Sequence, residues 1–208
     1  MAPARVAVLG GRDLLLVALV CLAWAGNFLT SKLALLEFPP LLFTALRLCL
    51  LMLLLSAFIK RPPPGQWPRL AAVALCNGVL HFGLSFWSLS LSHTLASPAI
   101  VMQSYVPMAA LLAWWLLGER FHWRTGAAIA LSFAGVLVLG FDASVLDAPA
   151  AVVLMLFSAA FLAIGTVLMR PLRGLDVFSQ QGWTAILGLA PLAAWSLAAL
   201  PRWPMPAG

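Results

Sequence analysis

Long apolar runs, each close to the length that crosses a bilayer, follow one another along this chain with only short connections between them. Seven can be delimited. They run from about Leu14 to Leu33, from Pro39-Pro40 to near Lys60-Arg61, and from Leu70 to Leu91. The others run from Ser97 to Gly118, Thr125 to Gly140, Pro149 to Met169 and Phe178 to Leu200. About 20 apolar residues carry a helix through the hydrocarbon core, so the pattern predicts an all-α, polytopic transmembrane helix bundle of about seven spans. The fifth run is short and needs snorkelling ends or local bilayer thinning. The stretch RPPPGQWP after the second cannot continue a helix. A signal peptide is the competing reading of the first run. It is too long for one, and Trp24, Asn27 and Lys32 do not make a small-residue cleavage site.

Composition excludes the other broad classes. Of the 208 residues 63% are hydrophobic and 9% charged, too few charges to cover a water-soluble enzyme. Disordered chains are poor in apolar residues, so disorder is excluded as well. The net charge of +6 would suggest nucleic acid in a soluble protein. Here the basic residues stand singly between apolar runs, which is a topology signal, and no nucleic-acid partner is expected. Cys21, Cys49 and Cys76 all lie within apolar runs without metal-ligand spacing and read as small packing residues.

The basic residues alternate between the two sides. Arg5, Arg12, Lys60, Arg61, Arg69, Arg120, Arg124, Arg170 and Arg173 fall on one side, Lys32 and Arg202 on the other, and Arg47 lies within the second span. Basic loops stay cytoplasmic. The N-terminus is therefore expected inside, in a cell (inner) membrane, with the last residues outside. Spans one and six also share a loose pattern: each ends in a basic residue, Lys32 or Arg170, and the next segment begins seven residues later. With an offset of five spans this suggests an inverted repeat. The expected organisation is a five-helix unit over residues 1–142, then the first two helices of a second copy over 143–208. The chain then reads as incomplete or as a shortened relative.

The segment ASPAIVMQSYVPMAALLAWWLLGERFHWRTGAAIALSFAGVLVLG, from Ala96 to Gly140, resembles the closing part of the first repeat in the EamA family of the drug/metabolite transporter superfamily. The marks are Pro107, Gly118-Glu119-Arg120, Gly126 and Gly135-Val136. Trp24, Gly26, Asn27, Phe28, Lys32, Pro39-Pro40 and Arg47 sit where the family's first two helices would have them. The resemblance implies ten helices in two inverted repeats of five around a central cavity for small metabolites, with both termini cytoplasmic. This chain departs from it by lacking three helices, which bears on whether one copy closes the cavity. A homodimer is the alternative route to closure. Within the family it is similar to exporters of cysteine-pathway metabolites and other amino acids.

Candidate solute-binding residues come from polar and aromatic positions within the spans. Asn77, His81, Ser85, Ser88 and Ser92 follow at steps of four, four, three and four, along one face of the third helix. Polar groups facing lipid are costly, so this face is expected to look inward, either as a cavity wall for a zwitterion or as interhelical hydrogen bonding. His81 either takes up a proton, which suits proton coupling, or makes one structural hydrogen bond. Arg47 lies about 11 Å into its span by helical rise. It either attracts a carboxylate-bearing solute, pairs with Glu37, or snorkels outward. Trp24, Asn27, Phe28 and Ser31 share a face of the first span, as an aromatic and amide gate or as packing. Gln103, Tyr105 and Pro107 interrupt the fourth span, where proline frees a carbonyl or simply kinks the helix. Gln180 and Gln181 read as interfacial, Glu119 and Arg120 as an orientation anchor, and Trp67, Trp114, Trp115, Trp123 and Trp203 as interfacial belts.

The expected function is secondary transport by alternating access, exporting small metabolites such as amino acids, with the bilayer and the solute as partners. No cofactor, metal or catalytic residue is expected. An intramembrane serine enzyme is the first competitor, since Gly83-Leu84-Ser85 resembles part of a rhomboid nucleophile turn. However, Phe86 stands where glycine would follow, and the only intramembrane histidine, His81, is on the same helix. A receptor is the second competitor, and the loops are too short for a signalling surface. An inactive truncated carrier is the third.

Overall fold

The computed structural model describes residues 10–118, 122–139 and 148–199. Among them all regular structure is helical: α1 (Gly11–Ala34), α2 (Pro40–Leu55), α3 (Trp67–Val73), α4 (Phe82–Leu91), α5 (Ala96–Met102), α6 (Tyr105–Leu117), α7 (Trp123–Leu139), α8 (Pro149–Met169) and α9 (Val177–Ala199). Two of the expected spans are composite. The third joins α3 to α4 through a π-helical stretch, Ala74–His81, and the fourth breaks between α5 and α6 at Gln103 and Ser104. Six helical stretches are long and apolar enough to cross a bilayer, and α7 adds 17 residues. That is roughly 25 Å by helical rise, the lower end of the spanning range. The chain is a polytopic helical membrane bundle.

Local chemistry sets the helix ends. Pro40 and Pro149 open α2 and α8 within the first turn, where a missing N–H leaves nothing unpaired. Gly118 ends α6 at φ +66°, the left-handed conformation that only glycine adopts without strain.

Two interfaces stand out among the described residues. α2 lies along α9, with Leu41, Ala45 and Leu48 packed on Ala185 and Leu192, and Val79 of the π-helical stretch completes the cluster. α8 lies against the third and fourth spans, and Met155 and Ala159 meet Val101 and Met102. Glycines let the backbones approach. A Cβ on Gly78 would stand 3.0 Å from the Thr184 methyl and 3.3 Å from the Thr184 carbonyl oxygen. Close approach through small residues is how packing contacts replace the missing hydrophobic drive between helices in lipid. By contrast α1 buries only Ser31, and α7 is lined by exposed apolar side chains such as Leu131.

The end of α2 is tied to the start of α9. Lys60 Nζ meets Asp176 Oδ2 at 2.8 Å, the Ser179 amide donates to Asp176 Oδ1 at 2.8 Å, and the Trp183 indole N–H donates to the Lys60 carbonyl at 2.9 Å. The Lys60 hydrogen bond, helped by Ser179, holds the Asp176 carboxyl down at about 2. A depressed carboxyl contributes above its ordinary value and is lost as pH falls through about 2, so this tie is intact at neutral pH. Asp176→Ala is expected to speed hydrogen exchange at the Ser179 amide and leave Ala185, in the core, unchanged. Unaltered exchange at Ser179 would show that the carboxylate does not cap α9.

Candidate functional site

A small, partly open cleft lies between α1, the third span and α5. α1 contributes Trp24, Asn27 and Phe28, the third span His81, Phe82, Ser85, Phe86 and Leu89, and α5 Met102. The spacing explains the set: three- and four-residue steps place side chains on one helical face. Trp24 stays 54% exposed, so it rims the cleft and does not floor it.

Arg47 of α2 does not line the cleft itself but touches three residues that do, Asn27, Phe82 and Phe86. Its Nη1 donates to Asn27 Oδ1 at 3.0 Å. Its guanidinium carbon lies 4.8 Å from the Phe82 ring centre and 5.4 Å from that of Phe86, within cation–π range. The expected alternative pairing with Glu37 is corrected: among the described residues no carboxylate lies within 4 Å of Arg47, and Glu37 is exposed. The amide Oδ1 at position 27, presented from the facing helix, takes that place. A guanidinium carries five N–H donors, and Asn27 satisfies one of them.

The polar stripe of the third span faces inward as its spacing requires. His81, Ser85, Ser88 and Ser92 are buried, and Asn77 is half-buried. Its members have separate tasks. His81 and Ser85 line the cleft. Ser88 turns away from it and donates to the Ala151 carbonyl of α8 at 2.6 Å, tying two helices. Asn77 donates to Met169 Sδ at 3.5 Å and packs on Gly165, where any side chain would overlap its carboxamide. His81 Nδ1 lies 2.9 Å from Ser158 Oγ and 3.3 Å from the Ser158 carbonyl, while Ser158 Oγ donates to the His81 carbonyl at 2.8 Å. Sequence reasoning missed Ser158, and its one available signal was a serine midway along the sixth apolar run, where Thr166 is the other hydroxyl.

Of the expected site residues, Trp24, Asn27, Phe28, Arg47, His81 and Ser85 come together, and Ser88, Gln103 and Tyr105 do not. Gln103 is exposed at the α5–α6 break, and Tyr105 packs half-buried against the cluster of Val101 and Met155. Lys32 ties α1 to the third span, its ammonium donating to the Leu89 carbonyl at 2.8 Å and to that of Ser92. Those are last-turn carbonyls, which lack intrahelical partners. Gln180 donates to the Leu175 carbonyl at 3.2 Å, and Gln181 is exposed. Trp114, Trp115 and Trp123 are exposed, while Trp67 meets Trp183 edge-on at 4.8 Å. Glu119, Arg120, Trp203, Arg5, Asp142, Asp147 and Arg202 lie outside the described residues.

Comparison with known proteins places this arrangement. The family model described as the EamA-like transporter family matches residues 12–141. The uncharacterized transporter YvbV of Bacillus subtilis is 34% identical over 76% of this chain and 54% of its own length. A protein of Escherichia coli named "Probable amino-acid metabolite efflux pump" is 30% identical over 62% of this chain and 42% of its own. An uncharacterized transporter of Archaeoglobus fulgidus is 31% identical over 60% and 44% respectively. The chain thus spans about half the length of the curated relatives it matches. No solved structure gives a significant match.

Proposed function

We propose that this chain, which belongs to the EamA-like transporter family, is part or all of a secondary carrier that exports small zwitterionic metabolites of the amino-acid class by alternating access. The observation that supports this reading is Arg47. This guanidinium lies within a membrane span, bonded to a neutral amide and set beside a cleft, with no carboxylate within 4 Å among the described residues. Intramembrane charges are retained for function or paired, and a solute carboxylate supplies the missing partner. Four aromatic rings, Trp24, Phe28, Phe82 and Phe86, line the same cleft and cover the apolar part of such a solute. The curated relative named an amino-acid metabolite efflux pump agrees in substrate class.

The repeat reading adds a frame. We assign residues 1–142 to one five-helix unit and 143–208 to the opening of a second. The packing of α2 along α9, two helices five spans apart, fits a pair related by such a repeat. The basic loops favour a cytoplasmic N-terminus in the inner membrane. An enzyme reading loses support, because His81 Nδ1 bonds Ser158 and not Ser85. Coupling to a proton gradient and completion of the pathway by a second copy belong to the same proposal.

Reconstitution of the 208-residue chain in liposomes tests it. Saturable flux of a radiolabelled amino acid is expected, displaced by excess zwitterion and much less by the corresponding amide. Concentrative flux is expected to vanish when the proton gradient is collapsed. Persistence against a concentration gradient would remove proton coupling. Folded protein without saturable flux would remove the carrier reading.

A further inference from the structure

We infer that Ser158 of α8 is a positioning residue that holds His81 as its Nδ1–H tautomer, so that Nε2 serves the cleft as acceptor for an N–H donor of the solute. The hydrogen bonding decides the tautomer. The Ser158 hydroxyl has one proton and gives it to the His81 carbonyl. The same oxygen then accepts from Nδ1. The Ser158 carbonyl, 3.3 Å from Nδ1, has only lone pairs to offer and likewise requires a proton on that nitrogen. A neutral imidazole with Nδ1 protonated carries a lone pair on Nε2. His81 is 3% exposed and is one of the residues that line the cleft.

The π-helical stretch borders this lock. It ends at His81, and π turns shift the backbone pairing by one residue. The His81 carbonyl accepts from Ser158 across the helix interface, so backbone and ring are fixed by one side chain. The Phe82 ring of the cleft lining neighbours two unlike groups: the Arg47 guanidinium carbon lies 4.8 Å from its centre and the His81 ring 4.7 Å from it. One end donates to a carboxylate and the other accepts from an amine. This inference rests on the carrier reading above and assigns recognition of the solute's N–H donor to His81.

Ring-¹⁵N-histidine NMR of the full chain in liposomes tests it, with His81→Gln assigning the signal against His93 and His122. The expected spectrum has a protonated Nδ1 and a bare Nε2 at His81. Adding an amino acid shifts the Nε2 resonance, and adding its des-amino analogue does not. Ser158→Ala is expected to mix the tautomers and cut the preference for the amino acid over the des-amino acid about tenfold, as the loss of one hydrogen bond to a charged group predicts. Ser158→Thr keeps the hydroxyl and is expected to restore both. A protonated Nε2 in the unmodified chain overturns the inference. So does a Ser158→Ala protein that loses thermal stability but keeps the tautomer and the preference. If Ser158→Ala does not fold, the unmodified chain's tautomer and its solute-dependent shift decide. Failure of the carrier reading has its own signature: neither solute is transported and neither shifts the resonance, and the inference falls with it. Transport of both solutes without discrimination removes the inference alone.

Discussion

Arg47→Gln is expected to raise the apparent KM for carboxylated solutes by about 10- to 100-fold while moving that for the matching amides, which lack the carboxylate, only slightly; hydrogen bonds to charged groups are worth about 1.5–3 kcal/mol, and each 1.4 kcal/mol is a factor of ten. Among the described residues the guanidinium has one side-chain hydrogen bond, to Asn27, and rests on Phe82 and Phe86. Glutamine can still donate to Asn27 and fills part of the volume, so the change removes charge more than packing. Competition in liposomes between an amino acid and its amide separates the two. Both carry the ammonium group, and only one carries the carboxylate. Equal effects on both solutes would leave Arg47 with a structural role alone, holding α1 against α2. Because the charged group lies in a span, little of the difference should yield to salt, which screens exposed charges far more than buried ones.

Gly78→Val is expected to cost stability by about 1–3 kcal/mol, as overpacking of a close-packed interior does. The residue lies in the π-helical stretch where the third span crosses α9. Its added Cβ would press on the Thr184 backbone carbonyl as well as the Thr184 methyl. A side-chain tip can rotate aside, whereas a carbonyl moves only with its helix. Gly135→Val is the matched control, since a Cβ there meets nothing within 4 Å. Thermal unfolding in detergent should therefore drop for Gly78→Val and stay nearly level for Gly135→Val. Equal shifts would mean that the loss comes from β-branching in a helix and not from the interface. A displaced third span also carries His81 and Ser85 with it, so solute affinity should fall in the first variant only.

Much of this architecture is legible along the chain. Each apolar run contains its own instruction to form a helix, and a proline or glycine at its border marks where the helix starts or stops, as at Pro40, Pro149 and Gly118. The steps from Asn77 to Ser92 placed a polar stripe on one face, and that face is turned inward. Trp24, Asn27 and Phe28 were read the same way and do line one cleft. These are statements about a single helix, and a 3.6-residue period is enough to make them.

Other features needed partners from distant segments. Ser88 has the same register as Ser85 yet bonds Ala151 instead of facing the cleft, because α8 covers that turn of the helix. Gln103 and Tyr105 sit at a break in the fourth span that turns them away from the lining. Arg47 chose between Glu37, nearby in sequence, and Asn27, on α1, and the placement of α1 in the bundle settled it. Ser158 stood 77 residues from His81 with no spacing to link them. The sequence by itself determined the helices, their apolar faces and the family to which they belong, because hydrophobic runs and helical period are local properties. Tertiary structure alone decided which polar groups meet, because hydrogen bonds only a few ångströms long depend on where separate helices cross.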